Sequence, residues 1–156
     1  MNAIVGSPFA KLTSLESIFL QYGSLNHIPS NAFKIEHTEA NTGKSLEISL
    51  FDNQLNGSSF ELGAFTHPSL NKRKISLYFL NNNITFLNET VFLPFLENEN
   101  NKFNTILNNP LDCDDCRTAW IWKKLSAKAR NNLDYKIRCK DGHLLVDCDA
   151  NFKKCK

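Results

Sequence analysis

One spacing rule governs much of the chain: apolar side chains at places 0, +2 and +7, with an asparagine at +5. Ile48, Leu50, Asn53 and Leu55 obey it in full, and so do Leu77, Phe79, Asn82 and Ile84. Two further copies are degenerate: Ile18, Leu20, Gly23 and Leu25 put Gly at +5, while Asn104, Ile106, Asn109 and Leu111 put Asn at the first apolar place. The starts at 18, 48, 77 and 104 are 30, 29 and 27 residues apart. A Phe recurs 15 or 17 residues after each of the first three starts, at Phe33, Phe65 and Phe92. Residues at 0 and +2 share one face of a short strand, so copies laid side by side form a parallel sheet with that face buried. The chain must then turn, leaving backbone groups unpaired. An Asn amide, with two donors and an acceptor, satisfies such groups inside a stack. One copy cannot bury its core alone, so the pattern specifies a stacked array.

Composition agrees with a use for amides, since 20 of the 156 residues are Asn against 6 Gly and 5 Pro. With 42% apolar and 22% charged residues and a net charge of +2, the chain is neither disordered, collagenous nor a strongly basic nucleic-acid arm. The longest apolar run, Val91 to Leu96, has six residues and contains Pro94. A membrane-spanning helix needs about 18 or more. The first residues, Met1 to Pro8, show no basic segment leading into a long apolar stretch, so no signal peptide is visible. Residues 110–156 hold 11 basic and 7 acidic side chains, a net of +4, whereas 1–109 hold 7 and 9, a net of −2. All five cysteines, Cys113, Cys116, Cys139, Cys148 and Cys155, fall in the later part. The chain therefore divides into a repeat region, 1–109, and a cysteine-rich unit, 110–156.

The stretch Leu12-x-x-Leu15-x-x-Ile18-x-Leu20, followed by Leu25-Asn26-His27-Ile28-Pro29-Ser30-Asn31-Ala32-Phe33, resembles an extracellular leucine-rich repeat. The resemblance covers nearly the whole chain and implies a solenoid with short parallel strands on its concave face and an irregular or 3-10 convex side. Phe9, three residues before Leu12, resembles the closing Phe of a preceding repeat, which implies a chain that starts inside a coil and lacks upstream repeats, an amino-terminal cap and a signal peptide.

The cysteines admit more than one chemistry. Cys113-x-x-Cys116 with Cys139-x8-Cys148 offers four thiolates to a zinc ion, although the second spacing is poor and Cys155 is left unexplained. As disulfides, five cysteines allow about fifteen ways to form two bridges. The segment Asn109-Pro110-Leu111-Asp112-Cys113-Asp114-Asp115-Cys116-Arg117-Thr118-Ala119-Trp120, with Cys139-Lys140-Asp141-Gly142 and Phe152-Lys153-Lys154-Cys155, resembles the cysteine-rich carboxy-terminal cap of secreted leucine-rich-repeat proteins. That resemblance implies Cys113 paired with Cys139 and Cys116 with Cys155, leaving Cys148 unpaired or intermolecular, and no metal. Trp120, Ile121, Trp122 and Leu125 predict one helix from about Arg117 to Arg130, with Lys123, Lys124 and Lys128 outside.

Function is expected on the concave face, made by Phe19, Gln21, Tyr22, Phe51, Asp52, Tyr78, Leu80 and Asn81. Phe19, Phe51 and Tyr78 are assigned to one place in consecutive repeats, as a vertical aromatic stripe toward solvent. Exposed aromatics suit a protein partner. Sequons at Asn56, Asn83 and Asn88, with the bridged cap, suit an extracellular glycoprotein. The histidines, His27, His37, His67 and His143, share no catalytic or metal spacing, and no phosphate or dinucleotide loop occurs. No cofactor and no nucleic-acid partner are expected. Lys123, Lys124, Lys128, Arg130, Lys136, Arg138 and Lys140 offer a surface to an acidic glycan, or are a solvated face. The start of the cap and its Phe-Lys-Lys-Cys ending also resemble arthropod secreted proteins similar to the non-catalytic subunit of oplophorus-luciferin 2-monooxygenase. This implies a non-enzymatic binding subunit. A fragment of a leucine-rich-repeat receptor ectodomain is the alternative, and an intracellular zinc protein the remoter one.

Overall fold

A computed structural model describes residues 2–36, 38–39, 42–131, 133, 137–148 and 155. His37, Lys136 and the Phe152-Lys153-Lys154 segment lie outside the described residues. Four strands, β1 (Ser17–Phe19), β2 (Ser45–Ser49), β3 (Lys74–Tyr78) and β4 (Lys102–Thr105), form one parallel sheet in sequence order. Their pairing aligns Ile18, Ile48 and Leu77, the first apolar place of three copies.

The fourth copy departs from its expected start. Phe103, not Asn104, pairs with Leu77, and the register then shifts so that Tyr78 faces Thr105. Asn104 is thus the extra residue of a bulge, which restores the alignment needed by Ile106 and Asn109. Phe103 supplies the buried side chain that Asn104 was expected to replace.

The asparagines at +5 join each turn to the one before it. Asn53 Nδ2 donates to the carbonyls of Leu20 (2.7 Å) and Phe51 (2.9 Å), while its Oδ1 accepts from Leu25 N–H (3.1 Å). Asn82 repeats this with Leu50, Phe79 and Leu80 carbonyls and Leu55 N–H. Asn109 does so with Phe79, Ile106 and Leu107 carbonyls and Ile84 N–H. In the first copy the place belongs to Gly23, where a Cβ would stand 2.9 Å from Asn53 Oδ1. The glycine leaves room for the amide stacked on it.

Behind the sheet, aromatic rings close the core. Phe9 stacks on Phe33 (6.2 Å between centroids), Phe33 on Phe65 (5.6 Å) and Phe65 on Phe92 (6.0 Å). Phe79 and Phe103 meet this row edge-on or tilted, at distances where aromatic pairs attract. The resemblance implies an irregular or 3-10 side away from the sheet, and the structure departs from that. Helix α1 (Glu89–Glu97) forms there, capped by Asn88 Oδ1 accepting from Thr90 N–H (3.0 Å). Val91, Phe92, Phe95 and Leu96 bury one face of it, and that burial holds the helix. Among the described residues Arg73 is the one large cation sunk into this core, its Nη2 donating to the carbonyls of Leu15 (2.5 Å) and Ser45 (2.8 Å). It ties together the chain ahead of the first three strands.

The carboxy-terminal region is cross-linked by Cys113–Cys139 and Cys116–Cys155. The single helix expected over 117–130 is instead a 3-10 turn (Cys116–Thr118), α2 (Trp120–Lys123) and α3 (Ala127–Asn131). Glu97 explains the break: its carboxylate accepts from Ser126 N–H (2.7 Å) and Oγ (2.9 Å), and Ser126 Oγ accepts in turn from Ala129 N–H. Ser126 is thereby pulled out of helical geometry and made the start of α3. Trp120 is buried and donates from Nε1 to Leu87 O (2.9 Å), while Leu87 N–H donates to Thr118 Oγ1 (3.2 Å). Nearby, Phe86 lies under the Arg117 guanidinium, 3.6 Å from its ring centre, and fills the space a Cβ on Gly57 would need.

Asn82→Ala strands several backbone groups, so it should cost about 1–3 kcal/mol. Asn83→Ala, altering an exposed side chain, should change stability little. Denaturant unfolding of both variants checks this; equal losses refute the role of Asn82.

Candidate functional site

The residues between the buried strand positions face away from the core, and their rows follow from the strand pairing. Phe19, Ser49 and Tyr78 pair directly across β1, β2 and β3. The expected stripe of Phe19, Phe51 and Tyr78 is therefore corrected: Phe51 lies two residues beyond Ser49, in a row with Gln21 and Leu80. The reason is register, since side chains alternate faces and only places equally far from the paired strand residues share a row. Phe51 still reaches Tyr78 diagonally, the rings meeting edge-on at 6.1 Å. Gln21 Nε2 donates to Ser49 Oγ (2.6 Å), which fills the gap where the stripe lacks an aromatic.

Exposure divides these residues. Phe19 and Tyr22 are 58% and 81% exposed. Phe51, Tyr78, Leu80, Gln21, Asp52 and Asn81 are half-buried. Burial, with the Glu47 carboxylate adding to it, pushes the Tyr78 phenol above its ordinary value, so the ring is neutral at physiological pH.

A second ladder runs along the rim, one residue ahead of the places held by Gly23, Asn53, Asn82 and Asn109. Tyr22, Asp52, Asn81 and Asn108 all have left-handed backbone, with φ of 54°, 53°, 54° and 58°. Asn81 Nδ2 donates to Asp52 Oδ1 (2.8 Å), and Asn108 Nδ2 donates to Asn81 Oδ1 (2.7 Å). Asn and Asp tolerate this conformation and Tyr does not favour it. Asn108 was not among the expected site residues, although it stands one place before Asn109, as Asn81 stands before Asn82. Tyr22 stands at the end of the row in a conformation costly for its side chain, and is the most exposed aromatic among the described residues.

The other expected sites are scattered. Asn56 and Asn83 are exposed, whereas Asn88 caps α1. Asn56 and Asn88 each use Oδ1, accepting from Ser58 N–H (2.8 Å) and from Thr90. A glycan attaches at Nδ2, so these turns are compatible with the modification. His27 contacts Glu61 at 3.1 Å, and the Ser30 N–H donated to Glu61, helped by that ring, holds the carboxyl below its usual value. His67 caps the 3-10 turn Pro68–Leu70, and His143 contacts Asp141. Among the described residues no two of these three histidines share a partner. The described cations of the carboxy-terminal region named above are paired: Lys124 with Glu89, Lys128 with Glu99, Lys140 with Asp112, and Lys123, Arg130 and Arg138 with carbonyl oxygens. Cys148 is unbridged and buried beside Cys139, and Cys116 is bridged to Cys155, so the expected four-thiolate alternative is not assembled. Among the described residues no helix is long and apolar enough to cross a membrane.

Compared with family models, curated proteins and solved structures, the chain matches none.

Tyr22→Asn places a residue that tolerates left-handed backbone at the end of the rim ladder and should stabilise the fold by about 1 kcal/mol. Thermal or denaturant unfolding measures it; a destabilised variant would show that the Tyr22 ring contributes packing that its exposure does not suggest.

Proposed function

We propose that the protein is a non-catalytic, extracellular protein-binding scaffold of the leucine-rich-repeat class. Its repeats, 1–109, form a solenoid whose concave face meets a protein partner, and 110–156 form the cap. The observation that carries this reading is the solvent-facing side of the sheet, where Phe19 and Tyr22 stand exposed beside Phe51 and Tyr78. Rings held on strands and on the hydrogen-bonded turns that follow them bury large area on binding and lose little conformational freedom. The rim amides and Asp52 supply the polar border that such interfaces carry.

The extracellular setting is supported by two bridges, which persist in oxidising compartments, and by two sequons with exposed asparagines. Capping suits the cysteine unit physically, because Trp120 and Thr118 satisfy backbone groups of Leu87 at the end of the repeat region. The reading as a binding subunit follows the resemblance of the cap to arthropod secreted proteins.

Partner capture from extracellular fluid, using the glycosylated secreted protein as bait, tests the proposal. Phe19→Ala with Tyr22→Ala should weaken capture about tenfold or more. Leu62→Ala, an exposed apolar position away from the strands, should leave capture intact. Equal capture by the double variant and the parent places the partner surface elsewhere.

A further inference from the structure

Three sulfurs converge where the cap meets the last copy of the repeat. Cys148 Sγ lies 3.4 Å from Cys139 Sγ, and the sulfurs of Cys113, Cys139 and Cys148 all lie within 4.8 Å of one another. All three residues are buried, so the thiol is held in contact with the bridge and away from solvent. The Cys113–Cys139 bridge clamps the turn at Cys139–Gly142 to the segment leaving the repeats. Lys140 N–H donates to Leu111 O (2.8 Å) and Lys140 Nζ to Asp112 (2.6 Å) across the same junction. Beside it is a cleft of about 440 Å³ whose lining includes Leu107, Asn109 and Pro110 together with Arg138, Lys140 and Gly142.

We propose that Cys139 is a shared bridge partner, exchanged between Cys113 and Cys148, and that this exchange releases the clamp at the cleft. Hydroxide reaching the junction during local opening takes the Cys148 proton and becomes water, and the Cys148 sulfur attacks Cys139 Sγ. The Cys139–Cys148 bond forms as the Cys113–Cys139 bond breaks, and Cys113 departs as a thiolate that takes up a proton. The number of disulfides is unchanged, so no oxidant or reductant is consumed. Proximity favours the step because the attacking sulfur already touches its target. The new bridge closes a span of 9 residues within the turn-bearing segment, in place of the 26 that join it to Cys113. After exchange, the turn is held to the repeats by the Lys140 contacts and other non-covalent packing alone.

Charge sets the pace. Burial first, then the carboxylates of Asp141 in the turn, Asp147 in the 3-10 turn Leu145–Asp147 and Asp114 beside Cys113, push the Cys148 thiol above its ordinary value. The thiolate is the attacking species, so exchange is slow at neutral pH and rises about tenfold per pH unit below the thiol's pKa.

The test holds the intact oxidised protein at pH 7 and at pH 9, quenches in acid, labels thiols with N-ethylmaleimide in denaturant and maps the peptides without reduction. At pH 7 the label should sit on Cys148. At pH 9 it should move to Cys113 with a matching Cys139–Cys148 peptide, while Cys116–Cys155 stays intact. Cys148→Ser should keep Cys113–Cys139 unlabelled throughout, and Cys113→Ser should fold with a Cys139–Cys148 bridge and no free thiol. Label confined to Cys148 after prolonged incubation at pH 9, scrambling that also reaches Cys116 and Cys155, or two free thiols in folded Cys113→Ser would each overturn the proposal.

Discussion

Everything in this structure depends on a side-chain amide that bonds in two directions at once. Asn53, Asn82 and Asn109 each accept from a backbone N–H one repeat earlier and donate to carbonyls both in that repeat and in their own. Buried backbone groups left unpaired are costly, and a turn repeated inside a stack would leave a set of them at every level. The amide removes that cost and fixes the distance between levels. The paired strands, the stacked Phe row and the rim ladder are all spaced by the same repeat. An Asp in its place would lose the donors, and a Ser would not reach both neighbours.

That spacing is what turns a set of side chains into a surface. The strands hold Phe19, Ser49 and Tyr78 in one row, and the turns hold Tyr22, Asp52, Asn81 and Asn108 in another. Nothing about Phe19 alone marks it as a contact residue. Its exposure on a strand whose next residues are locked by bonds from Leu20 and Tyr22 N–H to the following copy is what makes it preorganised. At the far end the stack meets a region cross-linked twice, where Trp120 and Thr118 complete the hydrogen bonds of Leu87.

Much of this was legible in the residues. The places 0, +2 and +5 located the strands and the amide ladder, because buried spacing leaves a periodic trace. The rows toward solvent were less legible: Ser49 breaks the aromatic series, and Phe51 sits two places on, so only strict counting from the paired positions separates them. The left-handed rim was hidden because Tyr22, Asp52 and Asn81 share a backbone shape without sharing chemistry. Asn104 looked like a degenerate start since a bulge is invisible to a fixed template. The break between α2 and α3 was hidden too, for the bond that makes it comes from Glu97, 29 residues away. Helical periodicity carries no signal of such a tertiary contact.

The central claim is that side-chain oxygens of the asparagines hold the backbone of preceding turns, and native-state hydrogen exchange reads those bonds directly. The amide hydrogens of Leu25, Leu55 and Ile84 lie outside the strands, yet each donates to an asparagine Oδ1. The account predicts protection equal to that of the strand amides, lost selectively at Leu55 in Asn82→Ala. Exchange of these three amides at the rate of the exposed turns would contradict it.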